Sequence, residues 1–513
     1  MVNLLFLVMS VFCLFFSIPA ASKPQIQPPQ QTQLEIQNKQ RLNAATVLSH
    51  IESQRIVHKI PGMTVGIWRD GKSIIQSGLG ISDIENQVDA EVNTLYRVAS
   101  VTKPLSATLM MGLKENDMLT LEEKVKFPGY WKLCNRAFKA PIASVAGYQC
   151  KKNKLSVRSH LTHTTQSPSG DVFSYSGGIY GFLTQMIEHK TDDTYVNMFI
   201  KHILQPAGMS QSMMGQDNLS KTSKDKLAIP YLILPDGIPL KNEYPDRVEK
   251  TSAGLVATVP DLGKFAASYL SGKLINGKSR AEMEDLDEYK TRDGGKLLYG
   301  LGWFGTYIDN VKVLYHPGWW PSAFSSLLIV VPEHNSYAVF LANSGGLTGG
   351  NYQGITTTKS TLTQNPFAAI ALNTILDIDL PVTANVNSYD YQKVTINKSI
   401  SSYIPSYWQS LKNGHYLSEE QRLTVSFEEY DSQNIETILS KHGQVVKQIY
   451  SGKFGMLNWR ITQLSDKQGL TKVVCLAKGG SGAIAIIFES ELPFKEMNHT
   501  ILEAIVSSTS IEL

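Results

Sequence analysis

The stretch Tyr96-Arg97-Val98-Ala99-Ser100-Val101-Thr102-Lys103 sets a serine and a lysine three residues apart at what reads as a helix start. Residues i and i+3 share a helical face, so the hydroxyl and the amine can meet in one pocket. A serine is a weak nucleophile until a base takes its proton, and a lysine can be that base if burial or a neighbouring cation lowers its pKa from about 10.4. Chance alone supplies Ser-x-x-Lys roughly a few times in a chain of this length. Ser223-Lys224-Asp225-Lys226 has the spacing too and reads as a solvated polar loop. Context distinguishes Ser100: the apolar run Leu105 to Leu113 follows Lys103 and puts the pair at the mouth of a buried helix.

The elements that must hold this pair follow from pattern. Met63 to Arg69, the turn Asp70-Gly71-Lys72 and Ser73 to Ser77 read as a β-hairpin. Far downstream, Val311 to Tyr315, Phe324 to Val331 and Ser336 to Ala342 read as three antiparallel strands, the last two joined by Pro332-Glu333-His334-Asn335. Between the two groups the pattern is mainly helical, and Pro366 to Ile378 reads as a helix that returns to the sheet. From about Thr383 the signal changes to β-rich segments: Leu423 to Phe427, Val445 to Tyr450, Asn458 to Leu464, Lys472 to Ala477 and Ala483 to Phe488, with a closing helix Phe494 to Val506. The expected division is 1–22 an export signal, 23–37 a Gln- and Pro-rich tether, 38–382 the catalytic domain and 383–513 a small α+β accessory domain.

Length and composition are those of a large globular protein: 513 residues, 42% hydrophobic, 18% charged and a net charge of +3. Nucleic-acid binding gains no support from so small and dispersed a charge. Leu4 to Phe16 is apolar apart from Ser10, and Ala20-Ala21-Ser22 offers small residues for cleavage. These predict an exported, periplasmic or secreted protein; the rival reading is an uncleaved N-terminal anchor. Removing the signal removes Cys13 and leaves Cys134, Cys150 and Cys475. Cys134 and Cys150 flank a short segment and are the expected disulfide, which would contribute about 3 kcal/mol on the loop-entropy account. Cys475, in Val473-Val474-Cys475-Leu476, reads as a packed free thiol.

From about Asn43 to Ile378 the chain resembles the serine β-lactamase-like superfamily, in the branch of class C β-lactamases, D-Ala-D-Ala carboxypeptidases, D-aminopeptidases and related esterases. The landmarks are Pro61-Gly62-Met63-Thr64-Val65-Gly66, Leu95 to Lys103, Leu155 to Thr164, Tyr175-Ser176-Gly177, Pro206-Ala207-Gly208-Met209, Ala253 to Thr258, Tyr299-Gly300-Leu301-Gly302-Trp303 and His316-Pro317-Gly318, in that order. The implied fold is α/β: a β-lactamase/transpeptidase-like antiparallel sheet flanked by helices, an all-helical lobe, and the small C-terminal α+β domain. The resemblance makes Ser100 the acylated nucleophile, Lys103 the group that polarises or deprotonates it, and Tyr175 the phenol that relays protons to the nucleophile and the leaving group. Either Lys103 or Tyr175 fits the role of general base, since a phenol beside an ammonium is acidified. His316-Pro317-Gly318 occupies the place of the family's Lys-Thr-Gly, its glycine admitting substrate backbone, and the N–H groups of Ser100 and Trp319 would form the oxyanion hole.

Two departures bear on substrate. Gly177 stands where the family's Tyr-x-Asn has asparagine, which holds a substrate amide, and this moves weight from peptides and β-lactams toward esters. His316 stands where true β-lactamases have lysine and would offer a carboxylate a donor, or a positive charge only in part at neutral pH. Among other sites, His160 and His163 have helical metal-ligand spacing without a third ligand and read as structural, so no metal or cofactor is expected. Trp319 and Trp320 fit either an aromatic substrate wall or the packed edge of the sheet. Gly479-Gly480-Ser481-Gly482 reads as a hairpin turn, and no Gly-x-Ser-x-Gly elbow stands out. The expected function is an exported serine hydrolase acting through an acyl-enzyme on esters or small amides. Alternatives are a D-Ala-D-Ala carboxypeptidase, a D-aminopeptidase or a weak β-lactamase, and a non-catalytic peptidoglycan- or penicillin-binding module associated with the cell wall.

Overall fold

A strand covered on both faces reads as an unbroken apolar run, and the central strands here do. In the computed structural model, described over residues 43–139, 155–166, 170–233, 237–242, 244, 250–291, 295–320, 323–348, 362–382 and most of 391–511, a ten-stranded sheet forms the frame. Its strands in chain order are β1 Gly62–Arg69, β2 Lys72–Asp83, β3 Val88–Asp89, β4 Val172–Phe173, β5 Asp287–Thr291, β6 Lys296–Tyr299, β7 Phe304–Ile308, β8 Val311–Trp320, β9 Phe324–Val331 and β10 Ser336–Ala342. In space the order is β3-β2-β1-β10-β9-β8-β7-β6-β5-β4, antiparallel except for the β5–β4 pair. Along β9, Leu327, Ile329 and Val331 face one core, while Leu328 and Val330 face the other.

Helices cover both faces. On one lie α1 (Ala44–Val57) and α5 (Pro366–Leu376); α5 starts on a proline, and the Asn365 side chain accepts from the Ala368 N–H. On the other lies the helical lobe, with α2 (Thr102–Glu115), α3 (Gly177–Thr191) and α4 (Val259–Leu270). Buried nearly all round, α2 puts Leu105, Ala107, Leu109, Met110 and Leu113 in the lobe's core. Short strands thread this lobe, Leu255–Ala257 between Tyr96–Arg97 and Met213–Met214, and Tyr96–Arg97 delivers the chain to Ser100.

Residues 44–513 form one compact unit. Beyond residue 391 the apolar cores are separate: a seven-stranded antiparallel sheet has Trp459, Cys475, Ile486 and Phe488 on one face and Val474, Leu476 and Ile487 under the helix Ile435–His442 on the other. Tyr403 and Leu240 both pack against Leu232. The expected export signal and tether fall in residues 1–42, outside the described residues, as does most of the expected closing helix. No helix among the described residues is long and apolar enough to cross a membrane. Cys475 is free and its thiol pKa is pushed up by burial, while Cys134 is disulfide-bonded. We propose Cys150, outside the described residues, as its partner; a Cys134 peptide linked elsewhere in a non-reducing digest would contradict this.

Candidate active site

The turn that carries Ser100 is locally strained. Ala99 takes φ +47°, a left-handed conformation that a residue with a Cβ rarely adopts. Ser100 follows in a 3-10 turn, Ala99–Val101, that runs directly into α2. Lys103, in the first turn of α2, is fully buried, and its Nζ lies 2.9 Å from the Ser100 Oγ and 3.0 Å from the Ser252 carbonyl oxygen. The same Nζ stands 4.8 Å from the ring centre of Tyr175 and 5.4 Å from that of Tyr180. Tyr180 is fixed in turn by donating to the Lys103 carbonyl.

Tyr175 sits just before α3, whose cap is Ser176: its Oγ accepts from the Ile179 N–H. Gly177 is the first residue of α3, with ordinary helical backbone. His163 anchors this segment. Its carbonyl accepts from Ser174 N–H, its Nδ1 accepts from Ser176 N–H at 3.3 Å, and its ring lies 4.3 Å from the Tyr175 ring. His160 points elsewhere, its Nδ1 2.8 Å from the Ser156 carbonyl, so the two histidines do not converge as ligands would. Both are buried.

His316 closes the site from β8, its ring 6.2 Å from that of Tyr175 and 5.2 Å from Phe304. Burial first, and the Lys103 charge second, hold its pKa well below the ordinary histidine value; the bond to Pro317 opposes them in part. Its Nδ1 lies 2.7 Å from the Pro317 carbonyl oxygen. That oxygen can only accept, so Nδ1 carries the hydrogen and Nε2 is left as an acceptor. Burial and the Lys103 charge thus favour the neutral ring over the partial positive charge expected of His316. Gly318 packs directly on the turn that carries Ser100, where a Cβ would come 2.2 Å from the Val98 carbonyl oxygen and 2.1 Å from the Ser326 Oγ. Trp319 and Trp320 are both buried, and Trp320 carries the Arg97 guanidinium 4.7 Å above its ring, which fits sheet-edge packing better than a substrate wall.

Ser100, Lys103, Tyr175, His316 and Gly318 thus lie together, with Trp319 next to Gly318 on β8 and Gly177 two residues beyond Tyr175 at the start of α3. Sequence reading missed Ser252, Tyr180, Tyr299 and Phe304. Ser252 gives Lys103 its carbonyl, which any residue type could supply. Tyr299 stood inside a landmark motif, and that was its available signal.

The buried histidines make a stability prediction. His160 is lowered by burial to about 4, and His163 is held well below its ordinary value of 6.5 by burial and then by Lys103. Between those limits the unfolded chain binds protons that the native state refuses. Stability is then fully present above pH 6.5 and is lost as pH falls toward the native values, by about 3 kcal/mol for His160 alone. Urea midpoints should drop from pH 7.5 to 4.5, and drop less in His160→Gln; a flat wild-type profile would contradict the neutral buried state.

A family model described as Beta-lactamase matches residues 48–353, more than half of the 513 residues. The chain belongs to the Beta-lactamase family, and so to the serine hydrolases of the β-lactamase-like superfamily. It is 23% identical over 308 residues to Protein flp of Staphylococcus aureus (strain MW2), covering 55% of this chain and 60% of that protein. It is 22% identical over 315 residues to Penicillin-binding protein 4* of Bacillus subtilis (strain 168), covering 56% and 68%. The match thus spans about 60% of the length of the flp relative. Among solved structures, the octameric penicillin-binding protein homologue from Pyrococcus abyssi matches 86% of this chain and 99% of that chain, with a TM-score of 0.49 and 16% identity.

Proposed function

We propose that this chain is an exported serine hydrolase that forms an acyl-enzyme on Ser100 and acts on esters more readily than on amides. The observation that carries the reading is the 2.9 Å contact between the buried Lys103 Nζ and the Ser100 Oγ. In the first step a bond forms between the Ser100 Oγ and the acyl carbon, and the serine proton passes either to Lys103 as its neutral amine or to Tyr175 as a phenolate beside the Lys103 ammonium. The carbonyl electron pair moves onto oxygen and is met by the Ser100 and Trp319 N–H groups, each worth about 3 kcal/mol when well placed. As the tetrahedral species collapses the bond to the leaving oxygen breaks, and Tyr175 relays a proton to it. Water then repeats the sequence to free Ser100. Residues 383–513 form an accessory domain in this reading.

Two features favour esters. Gly177 has no side chain with which to hold an acyl-side amide, and a buried unpaired amide costs about 1–3 kcal/mol, or roughly ten- to a hundredfold in rate. A neutral His316, its Nδ1–H bound to Pro317, gives no positive charge to the terminal carboxylate of a D-Ala-D-Ala peptide. Short p-nitrophenyl esters should therefore have a higher kcat/KM than nitrocefin or a D-Ala-D-Ala peptide. Gly177→Asn, at a helical position that asparagine adopts, should shift the ratio toward the amides. A wild-type preference for nitrocefin or the peptide would replace this reading with the β-lactamase or carboxypeptidase alternative.

A further inference from the structure

The two peptide units that would supply the oxyanion donors are each gripped from behind by a buried threonine. In a trans peptide the C=O and the following N–H point in opposite directions, so fixing the carbonyl aims the N–H. The Ala99 carbonyl, whose peptide bears the Ser100 N–H, accepts from the Thr102 Oγ at 2.6 Å. The Thr102 hydroxyl also accepts from the Leu255 N–H at 3.2 Å, which leaves its own hydrogen for Ala99. The Gly318 carbonyl, whose peptide bears the Trp319 N–H, accepts from the Thr348 Oγ at 3.0 Å. The register between β7 and β8 runs as far as Tyr315, while β8 continues to Trp320. The Trp319 N–H, opposed to a carbonyl held by Thr348, is thereby turned to the side of β8 away from Thr348, and Gly318 beside it packs against Val98 and Val101 of the turn that carries Ser100. Thr102 and Thr348 are both sealed from water, and they come from unrelated parts of the chain.

We propose that Thr102 and Thr348 are positioning residues that aim the two backbone donors of the oxyanion hole. The inference rests on Ser100 being the acylated nucleophile. A backbone donor has no side chain to mutate, and a strained turn such as the one at Ala99 gains from an external tie. Each threonine fixes one peptide plane, and neither needs to touch substrate. The cost of losing a tie should therefore fall on the tetrahedral species and spare substrate binding.

The test compares Thr102→Val and Thr348→Val, which keep shape and lose the hydroxyl, with the corresponding serine variants, which keep the hydroxyl. Turnover of p-nitrophenyl butyrate is measured beside inhibition by phenylboronic acid, whose boron accepts the Ser100 oxygen lone pair, with loss of the serine proton to the base, and so becomes a tetrahedral anion. Each valine variant should lower kcat by about ten- to a hundredfold with KM within about threefold. The boronate inhibition constant should weaken by the same factor as kcat/KM, and the serine variants should rescue both to within about threefold. If valine disturbs folding, Thr102→Ala and Thr348→Ala take its place. Unchanged kcat in the valine variants, or lowered kcat with undiminished boronate affinity, would overturn the proposal. A Ser100→Ala variant run alongside separates the two levels: activity surviving there refutes the nucleophile, whereas an inactive Ser100→Ala with fully active threonine variants refutes the positioning role alone.

Discussion

Lys103→Ala should lower kcat/KM for p-nitrophenyl esters by at least about a thousandfold while leaving the protein folded. The argument is geometric. Lys103 is fully buried, its Nζ contacts the Ser100 Oγ at 2.9 Å, and the Ser252 carbonyl and the Tyr175 and Tyr180 rings hold the amine in place. Without the amine the serine proton loses its nearest acceptor. Tyr175→Phe should also slow acylation strongly, and the Lys103→Ala/Tyr175→Phe double variant should be little worse than the poorer single one. Residues acting as one unit are not additive in that way. Lys103→Ala turnover within tenfold of wild type would show that Tyr175 or another group can take the proton unaided.

Gly318→Ala should be nearly as damaging, although it adds one methyl group and removes no functional group. That methyl would lie 2.2 Å from the Val98 carbonyl oxygen and 2.1 Å from the Ser326 Oγ, so either β8 or the turn that carries Ser100 must move. The Ser326 hydroxyl also donates to the Val98 carbonyl at 2.7 Å, tying the turn to the sheet at this point. Overpacking of this kind costs about 1–3 kcal/mol in stability. The activity loss should exceed a hundredfold, since an ångström of misplacement at a catalytic centre is expensive. Truncating Ser326 as well removes one clash and leaves the other, so Gly318→Ala/Ser326→Ala should remain impaired. Steady-state kinetics beside thermal melts check this; a folded, fully active Gly318→Ala would show that β8 can retreat without harm.

The sheet's central strands were legible because each is a long apolar run, and β9 and β10 fall at the expected bounds, Phe324–Val331 and Ser336–Ala342. Strand β8 was expected to stop at Tyr315 and instead continues to Trp320. Pro317 reads as a break, yet it lies where pairing with β7 has ended, so its missing N–H leaves no ladder bond unmade on that side. Strands β5 to β7 were absorbed into a helical reading. In β5, Asp287-Glu288-Tyr289-Lys290-Thr291, only Tyr289 is buried, so no alternation marks it. Past residue 391 the five expected β segments are strands with wider bounds, while Tyr391–Asn397, Ile400–Pro405 and His415–Ser418 were not read as strands. The helix Ile435–His442 was missed, although its Asn434 cap and the spacing of Ile435, Ile438 and Leu439 were there to be read. Of the site, the side chains were legible from motif order. The positive φ of Ala99, the neutral state of His316 and the carbonyl of Ser252 were not, because each depends on what the fold packs around it.

The central claim is that Ser100 carries the acyl group. Intact-mass analysis after treatment with a fluorophosphonate or an activated ester tests it most directly, with peptide mapping to place the adduct. The wild-type protein should gain a single adduct on the peptide containing Ser100, and Ser100→Ala should gain none. An adduct of the same mass and rate in Ser100→Ala, or one mapped to another residue in the wild type, would contradict the account.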